Sequence, residues 1–187
     1  MIIGLSGTLC AGKDTVAKHL IDKEGFFHIS LSGILREIAR REGIAETMAE
    51  LTELGNSLES KFGKGYLAKL ALEKVPAGRD AVVSSIRQPS EIEFLRREGA
   101  LKMIFVDANP KIRFERLRVR AREGDSQTSE DFIDLEKKQI SGGHGGINLS
   151  ECKEMSDYVI ENNGTREEFS KKIQSVVRKI IGEEKNR

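Results

Sequence analysis

The stretch Gly7-Thr8-Leu9-Cys10-Ala11-Gly12-Lys13-Asp14, with Thr15 next in line, decides how this chain is read. A short apolar run, Met1 to Leu5, precedes it, and a helical pattern from Asp14 to Leu20 follows. Strand, glycine-rich loop and helix, in that order, form the context in which G-x-x-x-x-G-K-[ST] marks a phosphate-binding loop. Gly7 and Gly12 let the backbone curl so that the N–H groups of the intervening Thr8, Leu9, Cys10 and Ala11 turn toward an anion. The helix behind the loop adds the positive end of its dipole. Lys13 is placed to reach the β- and γ-phosphates of a nucleotide, and Thr15 to offer its hydroxyl to the α-phosphate. Asp14 stands where the motif has the Ser or Thr that ligates Mg²⁺. A carboxylate can take that role, because Mg²⁺ favours oxygen ligands and keeps several waters.

With 187 residues the chain suits one domain, 1–187, with a full core. A formal net charge of +1 gives no global drive toward nucleic acid or an anionic membrane, so any basic site must be local. Cys10 and Cys152 are the only cysteines and build neither a disulfide framework nor a zinc signature, which fits a cytoplasmic protein. Cys10 is read as a small space-filling loop residue. No apolar run approaches the roughly 20 residues of a membrane helix, and the N-terminus lacks the pattern of a signal peptide.

Short apolar runs alternate with amphipathic stretches, which predicts an α/β fold with a mainly parallel sheet. Strands are expected at Met1–Leu5, Phe26–Ser30, Ala81–Val83, Leu101–Val106 and Asp157–Ile160. His28 reads as a surface residue at a strand end, with no partner group in evidence. Between the second and third strands, about 33–75, the pattern is all helical, with Met48, Leu51, Leu54, Leu58 and Phe62 recurring every three or four residues. Such an insertion can close over a second substrate. Arg87 follows the third strand, at the end of the sheet where ligands of open α/β folds gather. The helix from Pro110 places Arg113, Arg116 and Arg120 on one face and Arg118 and Arg122 on another. Arginines leading into a polar loop suit a clamp on phosphate oxygens by Arg116, Arg120 or Arg122. Thr165 with Glu168 forms a capping box for the last helix.

The chain resembles P-loop nucleotide kinases of the nucleoside-monophosphate-kinase-like, adenylate-kinase-like branch. It is similar to archaeal proteins classed with them and to the kinase-like domain joined to some deoxycytidylate deaminases. GTLCAGKDT, ISLSGILRE, VVSSIR, VDANPKIRFERL, RAREGD and DYVIENNGT carry the likeness over nearly the whole chain. It implies a P-loop three-layer α/β sandwich with a five-stranded sheet, and it assigns Arg36 and Arg87 to the acceptor monophosphate. It makes the polar loop at about 120–130 a short lid, sets Arg116, Arg120 and Arg122 near the transferring phosphoryl group, and sets the turn Asn162 to Thr165, including Gly164, at the donor adenine. Two positions depart from that pattern. Ser84 stands where this group commonly has an Asp that orients Mg²⁺, and Gly33 where an Asp often precedes the acceptor helix.

The expected activity is therefore transfer from ATP, with Mg²⁺, to a nucleoside or deoxynucleoside monophosphate by a monomer or weak homodimer. Positioning and charge neutralisation would do most of the chemistry. Dephospho-CoA kinase is the alternative of the same class, although Ser30 to Gly33 lacks the Asp that family carries there. A nucleotide-binding regulatory module without transfer activity is the alternative of another class.

Overall fold

The computed structural model describes residues 1–120, 128–140 and 147–185. Five strands, β1 (Ile2–Gly7), β2 (Phe27–Ser30), β3 (Ala81–Ile86), β4 (Leu101–Asp107) and β5 (Tyr158–Glu161), form one sheet of order β2-β3-β1-β4-β5. Every pairing is parallel. The mainly parallel five-stranded sheet expected from the sequence is thus present, with β1 at its centre. Parallel strands need helical crossovers that cover both faces, and the apolar residues divide accordingly. Ile3, Leu5, Val82, Ile104, Val106 and Ile160 pack under α1 (Lys13–Glu24) and the closing helix α9 (Arg166–Lys185). Val83, Ile86, Met103 and Phe105 pack under α2 (Leu31–Glu42), α3 (Met48–Phe62), α4 (Tyr66–Glu73) and α5 (Pro89–Glu98). This is a three-layer sandwich. Ile3 and Leu5 are fully buried, each contributing roughly 1.5–3 kcal/mol over an exposed counterpart.

Helices α2, α3 and α4 together make the helical insertion between β2 and β3. Caps set their ends. Ser30 caps α2 through the Gly33 N–H, and Thr47 caps α3 through the Glu50 N–H. Glycines Gly25 and Gly43 close α1 and α2 in the left-handed conformation. The remaining helices are α6 (Pro110–Arg120), α7 (Ser129–Ile140) and α8 (Leu149–Glu154). The last was absent from the sequence reading. At six residues it is too short to show periodicity, and its one signal was the Asn148 cap, whose side chain accepts from the Glu151 N–H.

β3 runs three residues further than its apolar core suggested, so Ser84 and Ser85 lie within it. Ser85 has φ +65, and the β1–β3 register shifts between Gly4 and Ser6 beside it. Such an irregularity re-aims side chains at the strand end. The Ser85 hydroxyl sits 3.1 Å from that of Ser32.

Candidate functional site

At the carboxyl end of β1 the chain turns through the glycine-rich loop into α1. A Cβ at Gly7 (φ +142) would overlap the Val106 carbonyl, and one at Gly12 (φ +112) would lie 2.7 Å from Asn162 Nδ2. Both positions therefore need glycine. Cys10 also has positive φ, +58, an uncommon conformation for a side-chain-bearing residue. Neighbouring strands hold the loop. Thr8 Oγ1 donates to Asp107 Oδ1 at 2.8 Å, and Asn162 Nδ2 donates to the Ala11 carbonyl at 2.8 Å. Burial pushes the Asp107 carboxyl up, but its bonds from Lys153 and Thr8 outweigh this and hold it below its usual range.

Lys13 folds back along the loop, donating to the carbonyls of Gly7 (2.8 Å) and Thr8 (2.6 Å). Burial, reinforced by the Arg87 guanidinium, pushes its ammonium down to about 7. Asp14 and Thr15 are exposed at the start of α1, facing the same cleft.

That cleft, about 1110 Å³, runs from the loop to the helical insertion. Lys13, Asp14, Arg36, Arg87, Arg116 and Arg120 line it, together with the apolar Leu35, Met48, Leu51 and Leu67. The Arg87 guanidinium meets the Met48 sulfur at 3.6 Å and forms no ion pair among the described residues. Arg36 is held differently: its Nη1 donates to Glu46 Oε2 at 2.8 Å.

On α6 the arginine row splits into different roles. Arg113 is only 2% exposed and makes a forked, buried pair with Glu136 on α7. It also donates from Nε to the Ala108 carbonyl at 2.6 Å and from Nη1 to the Leu9 carbonyl at 3.5 Å. Arg116 Nη2 donates to the Asn162 carbonyl at 3.0 Å, while its Nη1 is buried with no hydrogen-bond partner. Arg120 ends the helix and lines the cleft. Arg122 and most of the lid segment lie outside the described residues.

Asn162 sits beside the loop, and neither it nor Gly164 nor Thr165 is on the wall of the cleft. Asn162 braces the loop. Thr165 and Glu168 form the expected capping box, with Thr165 N donating to Glu168 Oε2 at 2.8 Å.

Four groups in or beside the cleft were missed by the sequence reading. Asp107, which accepts from Thr8, stands just past the expected strand Leu101–Val106, where the sequence reading assigns it no role. Glu46 lies in an uncapped polar stretch with no motif. Glu91 is 4% exposed, and its Oε2 accepts from the N–H groups of Arg87 and Gln88; burial pushes its carboxyl up to about 7. A capping-box signal at Gln88 and Glu91 was available for it. His28 is exposed, as its reading as a surface residue expects, but it lines the cleft and has a partner, its Nε2 lying 2.8 Å from Ser84 Oγ. Burial lowers its imidazole below the ordinary value.

A parallel sheet with this strand order, a glycine-rich loop after the central strand and an arginine-lined cleft define a P-loop kinase fold. A family model described as an AAA domain matches residues 3–141. The chain belongs to this family and to the UPF0200 proteins. It is 36% identical over 188 residues to UPF0200 protein PH1008 of Pyrococcus horikoshii, covering 97% of this chain and 98% of that one. It is 33% identical to UPF0200 protein TK1334 of Thermococcus kodakarensis, with the same coverage. Among solved structures it is similar to shikimate kinase from Bacteroides thetaiotaomicron, with TM-score 0.58, 17% identity and coverage of 96% and 98%. Shikimate kinase from Acinetobacter baumannii in complex with shikimate gives TM-score 0.58, 19% identity and coverage of 97% and 93%.

Proposed function

We propose that this protein transfers the terminal phosphoryl group of ATP, accompanied by Mg²⁺, to a nucleoside or deoxynucleoside monophosphate. The observation that carries this reading is Arg87. Its guanidinium lines the same cleft as Lys13, lowers the lysine's proton affinity, and forms no ion pair among the described residues. Two cations in one cleft, each with its proton affinity lowered by burial, suit a multiply charged anion.

The residues of the loop fit a nucleotide's phosphates. Both obligatory glycines open the cradle, and among the described residues Lys13 forms no ion pair and Arg116 Nη1, in the same cleft, has no hydrogen-bond partner. ATP supplies the phosphoryl group when bound, and Mg²⁺ offsets its charge. The loop N–H groups, Lys13 and Thr15 would hold the donor phosphates, and Asp14 is the one carboxylate on the loop that could face the cation. Arg116, Arg120 and Arg122 would neutralise charge developing on the group in transfer. Arg36 and Arg87 would hold the acceptor phosphate, and the Leu35, Met48, Leu51 and Leu67 wall would take its organic part. An acceptor phosphate is already an anion, so no general base is required. Asn162, Gly164 and Thr165 would flank the donor base.

One observation favours a second reading, a nucleotide-responsive module without transfer activity. The strand-end position facing the loop carries the Ser84 hydroxyl, bonded to His28, in place of a carboxylate.

A chromatographic assay with Mg²⁺-ATP against the ribo- and deoxyribonucleoside monophosphates and dephospho-CoA tests both readings. Diphosphate formed from one monophosphate supports the kinase. Transfer to dephospho-CoA alone changes the acceptor class. Tight ATP binding with no transfer favours the module.

A further inference from the structure

The acceptor end of the cleft already contains an anion, and the chain supplies it. Glu46 lies in the connection between α2 and α3, one residue before the Thr47 cap, and its neighbours Ala45 and Thr47 line the cleft with it. Its carboxylate spans two arginines of α2. Oε2 accepts from Arg36 Nη1 at 2.8 Å, and Oε1 accepts from Arg40 Nε at 2.5 Å. The Glu46 backbone carbonyl also lies 3.4 Å from Arg36 Nη1. The hydrogen bonds from Arg40 and Arg36 hold the carboxyl below its ordinary range, so it is ionised across the neutral region. Arg36 and Arg87 line the same cleft, with Glu46 paired to Arg36, and Arg36 helps lower the Arg87 guanidinium's proton affinity.

We infer that Glu46 is a specificity-determining residue: a tethered carboxylate that an acceptor must outcompete at Arg36, selecting phosphate dianions over carboxylates. This rests on the proposed role of Arg36 at the acceptor anion. A carboxylate ligand reaching Arg36 would exchange one carboxylate–guanidinium contact for another and gain little. A phosphate dianion brings a second charge and more acceptor oxygens. It can bridge Arg36 to Arg87 and still offer oxygens to further donors. Both Glu46 contacts are partly solvated, with side chains 42% exposed at Arg36 and 66% at Arg40. Pairs of this kind are weak enough to be displaced.

Glu46→Gln tests this, since the amide keeps an acceptor oxygen for Arg36 while removing the charge. Inorganic phosphate and acetate serve as probes, titrated calorimetrically into protein carrying Lys13→Ala, which silences the loop. Glu46→Gln should tighten phosphate about three- to tenfold and make acetate binding measurable. Both gains should vanish when Arg36→Gln is added. Phosphate affinity unchanged or weakened by Glu46→Gln, in protein where Arg36→Gln still costs affinity, overturns the role of Glu46 and leaves Arg36 in place. Phosphate binding indifferent to Arg36→Gln in both backgrounds removes Arg36 from the acceptor site, and the inference with it.

Discussion

Binding of a nucleotide to the loop should take up a proton at alkaline pH, and Lys13 should be its destination. In the free protein, burial and Arg87 hold this ammonium at about 7 instead of 10.5. Polyphosphate oxygens beside Nζ reverse both effects, because an adjacent anion favours the charged form. At about pH 8.5 the free lysine is almost wholly neutral and the bound one charged, so uptake should approach about one proton per site. At about pH 6 it is already charged, and Lys13 should contribute about zero. Affinity should fall by up to about tenfold per pH unit above 7, until the pH passes the proton affinity of the bound state. Folding of the free protein follows the opposite sense. The unfolded lysine keeps its proton up to about 10.5 where the folded one does not, so this group's contribution to stability rises with pH between about 7 and 10.5. The assay is calorimetric titration with ATP in buffers of different ionisation enthalpy, where the slope of observed enthalpy counts protons. Lys13→Ala serves as the control that removes the slope. A slope near zero at about pH 8.5 in the unmodified protein, or an equal slope in Lys13→Ala, would refute the reasoning.

Other outcomes follow from the geometry. Arg113→Met should cost about 3–5 kcal/mol in urea unfolding, because it strands Glu136 as a buried charge; the double change Arg113→Met, Glu136→Leu should recover most of that loss. Asn162→Ala leaves the buried Ala11 carbonyl without its donor, so it should cost about 1–3 kcal/mol. It should also raise the KM for ATP while sparing that of the acceptor. Arg36→Ala should raise the acceptor's KM much more than that of ATP, and equal effects in steady-state kinetics would remove Arg36 from the acceptor site. Arg120→Ala should mainly lower kcat, which a single-turnover measurement would show directly.

Fold and loop were legible because local rules agree there. A strand, two glycines and a lysine in fixed order admit one arrangement, and the helical insertion announces itself through its apolar period. The arginine row on α6 shows where such reading stops. Spacing placed Arg113, Arg116 and Arg120 on one face, yet Arg113 is locked in the core while Arg116 and Arg120 line the cleft, Arg116 with one donor unpaired among the described residues. What separates them is Glu136 on α7, the Asn162 carbonyl and the open cleft, partners set by tertiary packing and absent from the helix's own pattern. His28 and Ser84 are 56 residues apart, and only the β2–β3 pairing brings them together. Glu46 carries no motif at all; its meaning comes from two arginines on the preceding helix.

Arg113 has a consequence for how the family can vary. One side chain grips the loop at Leu9, the end of β4 at Ala108 and the α7 carboxylate of Glu136. A lysine could answer the charge but not the fork, and a neutral residue would abandon all three contacts. Sequence drift at position 113 should therefore be tied to drift at 136: relatives that discard the glutamate should discard the arginine too, with apolar residues filling both places. Aligned relatives should show this as paired substitution between two helices that a single-sequence reading treats as unrelated.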